Sequence, residues 1–109
     1  MSFDPEYQGF RTQFTDRLPA RLEEIEAAWR QVREGGWSRE SLALFHRLAH
    51  SLAGACAMFD LAAMAATARE LEHLLKRLAV EPGEVSERRI ESLLDRLRQA
   101  VPPKHLALL

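Results

Sequence analysis

The chain has 109 residues, a formal net charge of -1 and 47% hydrophobic residues, so it is long enough to bury the core of one domain. Its 15 basic and 16 acidic side chains lack the basic excess expected of a general nucleic-acid binder or of a protein held on anionic lipid. One cysteine excludes an internal disulfide framework, and no apolar run approaches the roughly 20 residues that span a bilayer. We therefore expect a single domain over residues 1–109 that binds neither nucleic acid nor membrane.

The start of the sequence and its cysteine content bear on location. Met1–Glu6 has neither the basic start nor the apolar block of a signal peptide. The lone cysteine, Cys56, fits a reducing compartment. We expect a cytoplasmic protein, and a monomer, because the balanced surface shows no extra apolar stripe.

The first predicted helix begins at Asp4–Glu6, which supplies an N-cap aspartate, a proline for the first helical position and an acid in the first turn. Apolar residues then recur at helical spacing: Phe3, Tyr7, Phe10, Phe14, Leu18, Leu22, Ile25, Trp29 and Val32. Pro19 lies inside this pattern, so we expect a kink near it or two abutting helices. Gly35–Gly36 should end the segment by allowing a positive φ.

Three more helices are predicted. Ser38 caps the second, which runs to about Met58, and Asp60 caps the third. Glu81–Gly83 should form a turn before the fourth helix, which ends at Pro102. The apolar stripes are Leu42, Phe45, Ala49, Leu52, Cys56 and Phe59, then Leu61, Met64, Ala68, Leu71, Leu75 and Leu78, then Ile90, Leu93, Leu94, Leu97 and Val101.

The connections between these helices predict the fold. The short break at Phe59–Asp60 favours an antiparallel hairpin of the second and third helices, and the sequence shows no strand-like alternation. We predict an all-α protein: an up-and-down antiparallel four-helix bundle with an N-terminal helical extension kinked near Pro19. The apolar tail Lys104–Leu109 should pack back on the bundle.

His50 is the residue around which a functional site is predicted. It lies one position past the apolar stripe, so it should project at the solvent edge of its helix. Its neighbours Ala53, Gly54 and Ala57 are all small. Glycine inside a helix costs about 1 kcal/mol relative to alanine. Gly54 therefore indicates that something large approaches the histidine closely.

The third helix should complete this site. If the hairpin turns between residues 59 and 60, Arg69 stands beside His50, with Glu72 and Lys76 nearer the base of the hairpin and Ala65 level with the glycine. A neutral exposed imidazole is a nucleophile, and a phosphoryl group on it would carry dense negative charge. Arg69 or Lys76 could offset that charge, and Glu72 could orient a cation or the imidazole.

At these residues the sequence resembles a histidine-containing phosphotransfer (HPt) domain of bacterial two-component phosphorelays. The resembling core is Leu44–Gly54, followed by Phe59–Leu61 and Ala68–Glu72. The family pattern is roughly Ala-His-x-Leu-Lys-Gly, with a further glycine six residues later. Here the lysine is Ala53, and the later glycine is Asp60, which we expect to serve as an N-cap with little structural loss.

The resemblance implies a function for the chain. It implies phosphoryl exchange between His50 and the aspartate of a response-regulator receiver domain. The partner of this chain could also be a hybrid sensor histidine kinase. Mg²⁺ would come from the receiver, and no cofactor from this chain. Since the sequence has no nucleotide-binding motif, it would be a carrier and not an autokinase. Arg69 or Lys76 would replace the family lysine in stabilising the phosphoryl group.

The expected docking surface around the histidine comprises His46, Arg47, Ala53, Gly54, Ala57, Ala65 and Glu72. Two other functions stay open. The absent lysine at Ala53 fits an adaptor that binds a receiver or kinase without being phosphorylated. His46 and His50, four residues apart, could share a metal ion, although Glu72 is the only evident third ligand, so we predict no metal site. Whether the chain stands alone or belongs to a hybrid kinase also stays open.

Overall fold

The computed structural model describes residues 4–80 and 87–102, and it contains four α-helices within them. These are α1 (Pro5–Glu34), α2 (Arg39–Met58), α3 (Ala62–Val80) and α4 (Glu87–Ala100). Strands are absent from these ranges, which confirms the all-α prediction. The predictions made for Phe3, Glu81–Gly83 and Lys104–Leu109 lie outside the described residues.

The predicted starts of the first two helices are confirmed. The Asp4 carboxylate accepts a hydrogen bond from the Glu6 amide at 3.0 Å. The Ser38 hydroxyl accepts one from the Ser41 amide at 3.1 Å. After α1 the chain turns through Gly36 with a φ of 72°, as the paired glycines predict.

Pro19 does not divide the first helix. α1 runs through it without interruption for 30 residues, so the alternative of two abutting helices is wrong, while a kink there stays a prediction. A proline removes only one hydrogen bond of the helix, and Leu18 and Leu22 on either side of it are buried in the core. At 1.5 Å per residue α1 is about 45 Å long. It therefore runs the length of the molecule, whose longest dimension is 46 Å.

The four helices pack as an up-and-down bundle. Each packs on the next in the chain, and α4 returns to pack on α1, while the α2–α3 interface is the most extensive. Arg33 near the end of α1 pairs with Glu91 near the start of α4 at 3.0 Å, and Glu26 pairs with Arg98 at 2.5 Å. Residue numbers rise along α4 as they fall along α1, so these two helices are antiparallel.

The predicted apolar stripes form the core. Its members are Phe14, Leu18, Leu22, Ile25, Trp29 and Val32 from α1, Phe45, Ala49, Leu52 and Cys56 from α2, Met64, Ala68, Leu71, Leu75 and Leu78 from α3, and Ile90, Leu93, Leu94 and Leu97 from α4. Of the other stripe residues that the structure describes, Tyr7, Leu42, Phe59, Leu61 and Val101 are half-buried, and Phe10 is 59% exposed. Burial raises the pKa of the Cys56 thiol to about 11, so this cysteine is neutral at physiological pH.

The prediction that Asp60 caps α3 is wrong. Asp60 has a φ of 61°, and it follows Phe59, which is the C-cap residue of α2. The Leu61 amide donates to the Cys56 carbonyl at 2.9 Å, and the Asp60 amide donates to the Ala57 carbonyl at 3.3 Å. This pair of bonds is the Schellman motif that ends a helix.

Asp60 thus occupies the left-handed position where the resembled family pattern has glycine. Aspartate enters this region more readily than most residues because its short side chain can hydrogen-bond locally. Here the Tyr7 hydroxyl donates to the Asp60 carboxylate at 2.6 Å, which ties the start of α1 to the turn. This bond also raises the pKa of Tyr7. The helix α3 begins only at Ala62.

Candidate functional site

His50 projects from the outer edge of the α2–α3 pair. Its side chain is 70% exposed, although the preceding Ala49 is fully buried. A helix turns by about 100° per residue, so one step past the apolar stripe moves a side chain from the core to its border. The exposure expected from the sequence is therefore present in the structure.

The residue that meets His50 is Glu72, not Arg69. The Nδ1 atom of His50 lies 2.7 Å from Oε2 of Glu72, whose side chain is only 15% exposed. The expectation that Arg69 stands beside the histidine assumed a turn between residues 59 and 60. Because α3 starts at Ala62, the centre of the hairpin shifts along the chain, and a residue one turn later meets His50.

His46 is the third member of this group. Its ring lies nearly parallel to that of His50, with 6.3 Å between centroids and 16° between planes. Its Nε2 atom is 3.8 Å from the same Oε2 atom of Glu72, too far for a hydrogen bond. This nitrogen is buried and has no hydrogen-bond partner in the part of the chain that the structure describes. We call these three residues the His–Glu–His cluster.

The charge state of Glu72 determines what the cluster can do. Burial alone would raise the pKa of Glu72, but the hydrogen bond with His50 and the charges of His50, His46 and His73 together lower it. Glu72 is therefore a carboxylate at neutral pH and can only accept hydrogen bonds. The neutral His50 ring must then carry its proton on Nδ1, which leaves the lone pair on Nε2 unused.

The surface next to His50 carries small residues, as predicted, but two of the alanines expected on it are buried. Gly54 and Ala57 are exposed, whereas Ala53 and Ala65 are 2% and 8% exposed. The prediction that Ala53 and Ala65 present docking surface is wrong, because both methyl groups belong to the buried core. A Cβ atom built on Gly54 would meet nothing within 4 Å, so packing inside the protein does not require glycine there.

The cations predicted near the histidine lie at the surface. Arg47, Arg69 and Lys76 are all exposed. Within residues 4–80 and 87–102 none of them forms an ion pair or hydrogen bond with the His–Glu–His cluster. A role for Arg69 or Lys76 in holding a phosphoryl group stays a prediction.

A groove of about 440 Å³ adjoins the cluster, between the start of α2 and the end of α3. It is lined by Trp37, Arg39, Leu42, Ala43, His46, Leu75, Lys76, Leu78 and Ala79. The groove is not evident from the sequence, since its walls come from two helices whose register is set by the turn. Among the described residues there is no group of three or more His, Cys, Asp or Glu side chains arranged to hold a metal ion. None of the described helices could cross a membrane.

A match to a protein-family model shows the family of the chain. The model of the Hpt domain family matches residues 9–100, which is most of the chain and includes the whole His–Glu–His cluster. Searches of curated proteins and of solved structures gave no match. Hpt domains take part in phosphorelays as carriers without a catalytic site of their own, and they interact with response-regulator and kinase components. The extent of the family match, on a helical bundle with an exposed histidine, shows that this chain belongs to the Hpt domain family.

Proposed function

We propose that His50 accepts and donates a phosphoryl group, exchanging it with the aspartate of response-regulator receiver domains. The observation that carries this proposal is the 2.7 Å contact between His50 Nδ1 and the Glu72 carboxylate. It fixes the proton on the inner nitrogen of a side chain that is 70% exposed, so the free lone pair is on Nε2.

The phosphoryl transfer needs no proton donor or acceptor beyond the two reacting side chains. The Nε2 lone pair of His50 attacks the phosphorus of an aspartyl phosphate, the bond between phosphorus and the aspartate oxygen breaks, and the aspartate leaves as a carboxylate. The imidazole becomes a cation that still carries its Nδ1 proton, and the Glu72 carboxylate stabilises that positive charge. The reverse reaction returns the phosphoryl group to another aspartate. The receiver supplies Mg²⁺, and this chain supplies no cofactor.

The surroundings of His50 favour access by another protein. Gly54 and Ala57 keep the neighbouring surface low, and no contact inside the protein accounts for the glycine. Arg69 and Lys76 are both exposed on α3, and either could offset the charge of a phosphoryl group on His50. We propose a monomeric carrier that works in the cytoplasm, where the buried Cys56 thiol stays reduced.

A phosphotransfer assay tests the proposal. A purified receiver domain carrying a radiolabelled aspartyl phosphate is mixed with the wild-type protein, with His50→Gln and with His73→Gln. His73 is an exposed histidine on α3 outside the cluster and serves as a matched control. We expect label on the wild type and on His73→Gln, and none on His50→Gln. Equal labelling of all three proteins would show that His50 is not the acceptor.

A second candidate function is a phosphorylation-independent adaptor. It is favoured by Ala53, which stands where the family pattern has lysine, and by the lack of any described cation paired with the cluster. In that case the same surface would bind a receiver or kinase and sequester it. A His50→Ala protein that keeps full activity in the cell would support the adaptor and contradict the carrier.

A further inference from the structure

His46 has an environment that its role as a surface residue does not explain. Its Nε2 atom is buried and lacks a hydrogen-bond partner among the described residues. A buried polar nitrogen without a partner is costly, so native structures rarely keep one without a reason. A carboxylate lies near it, that of Glu72, whose Oε2 atom is 3.8 Å away.

The oxygen that attracts His46 is the one that holds His50. Oε2 of Glu72 accepts from His50 Nδ1 at 2.7 Å, and His46 lies one helical turn earlier on α2 with its ring nearly parallel to that of His50. A single carboxylate from α3 therefore faces two imidazoles from α2. Because the Glu72 side chain is only 15% exposed, solvent screens the attraction between a ring N–H at 3.8 Å and this carboxylate only weakly.

We propose that His46 is a positioning residue for phosphoryl transfer, holding the Glu72 carboxylate where it fixes the proton of His50 on Nδ1. This inference depends on the proposed function of His50 and adds a residue to it. In this role His46 does not need to contact the phosphoryl group. It acts through Glu72, and Glu72 acts on the tautomer of His50.

The other groups around His46 do not offer the same support. Lys76 and Arg39 line the groove beside it, but both are cations and cannot accept a hydrogen bond. The charge of His73 also lowers the pKa of Glu72, but the His73 side chain is exposed and forms no hydrogen bond or ion pair with the cluster within residues 4–80 and 87–102. The apolar neighbours Leu42 and Leu75 give a flat ring at position 46 a place to pack.

Removing the His46 nitrogen should free the carboxylate. In His46→Phe the ring still packs in the groove, but nothing on α2 other than His50 holds Glu72. The Glu72 side chain then samples more positions, and the neutral His50 ring spends more time with its proton on Nε2. Such a ring has no lone pair toward the partner and cannot attack phosphorus.

Long-range ¹H–¹⁵N NMR of the imidazole rings tests this without any partner protein. Spectra recorded at about pH 8, above the ordinary histidine pKa near 6.5, report the tautomer of each neutral ring. We expect His50 to carry its proton on Nδ1 in the wild type and in His73→Gln. In His46→Phe we expect a measurable shift of the His50 ring toward the Nε2–H tautomer. His46→Gln should restore the wild-type tautomer, because its amide can donate to Glu72.

Transfer rates provide the second readout. The initial rate of phosphoryl acceptance should fall about threefold in His46→Phe, less than the roughly 10–100-fold lost when a residue that orients a metal ligand is removed. It should stay unchanged in His73→Gln. If His46→Phe does not fold, His46→Leu replaces it. A folded variant with the wild-type tautomer and rate would overturn the role of His46 while leaving His50 as the acceptor. Labelling of His50→Gln would instead overturn the proposed function, whatever the tautomer.

Discussion

The reactivity proposed for His50 depends on a hydrogen bond to a residue 22 positions away in the chain. An exposed imidazole with no partner exchanges its proton between two nitrogens, so only part of its population offers a lone pair to a partner. The Glu72 carboxylate, 15% exposed at 2.7 Å, selects one form. An exposed histidine beside a half-buried carboxylate is therefore a better phosphoryl acceptor than a histidine that solvent surrounds on all sides.

Glu72 should make stability depend on pH on the acid side. Its pKa in the folded protein is below the ordinary value of 4.5, so its ionised form stabilises the folded state. That contribution is fully present above the ordinary value and is lost as the pH falls through the lowered pKa. Urea unfolding from pH 6 downward should show the wild type losing more stability than Glu72→Gln below about pH 4.5. Parallel pH profiles for the two proteins would contradict this.

Gly54 should be dispensable for folding and important for docking. Because a Cβ there meets nothing within 4 Å, Gly54→Ala should stabilise the fold by about 1 kcal/mol in urea unfolding. Gly54→Arg should also fold, but its bulk next to His50 should slow phosphotransfer by about tenfold or more, because it clashes with an approaching protein. A wild-type transfer rate in Gly54→Arg would contradict the idea of close approach.

At the scale of helices, the turn between α2 and α3 decides which side chains meet. The sequence correctly predicts a break between the two helices at Phe59–Asp60. Aspartate is favoured both as an N-cap and in the left-handed region, so the residue type alone does not predict which role Asp60 takes. The structure shows Asp60 with a φ of 61° closing α2. That choice delays the start of α3 to Ala62 and brings Glu72 to His50.

Substitutions at Asp60 can separate its backbone strain from its bond to Tyr7. Asp60→Ala should be less stable than Asp60→Gly by about 1–2 kcal/mol. The left-handed conformation brings the alanine Cβ too close to the backbone, whereas glycine has no Cβ atom. In a Tyr7→Phe background, which lacks the 2.6 Å hydrogen bond, Asp60→Gly should stabilise the protein. Thermal or urea unfolding of these variants measures both effects. Equal stability of the alanine and glycine variants would contradict the strained position.

At the scale of the whole molecule, the bundle buries one side of the α2–α3 pair and leaves the other free. α1 packs on α2 and α4 packs on α3, while His50 and Gly54 lie on the face that these helices do not cover. Because stability comes from the covered side, residues on the free side can vary to suit a partner. This division explains how a surface of small residues can persist without weakening the core.

Two phenylalanines test this division. Phe45 is fully buried and its ring lies 5.8 Å from that of Trp29, so Phe45→Ala should cost about 3–5 kcal/mol in urea unfolding. Phe10 is 59% exposed, so Phe10→Ala should change stability by less than about 0.5 kcal/mol. Because both changes remove the same atoms, the difference between them measures burial alone. Similar losses in the two variants would mean that the core is not where the structure places it.

Much of the fold was predictable because it depends on residues close together in the chain. The caps at Asp4 and Ser38 and the stripe that buries Leu52 follow from spacings of two to four residues. The position of His50 at the edge of its helix follows in the same way, and the glycine after it was informative because nothing local required it.

What only the tertiary structure decided are the contacts between helices. The pairing of Glu72 with His50, the burial of Ala53 and the role of Asp60 all depend on how far α3 is shifted along α2. A shift of a few residues leaves each helix and its apolar stripe intact, so the sequence pattern hardly distinguishes one register from another. The turn and the packing of two helices against each other select the register, and with it the partner of the reactive histidine.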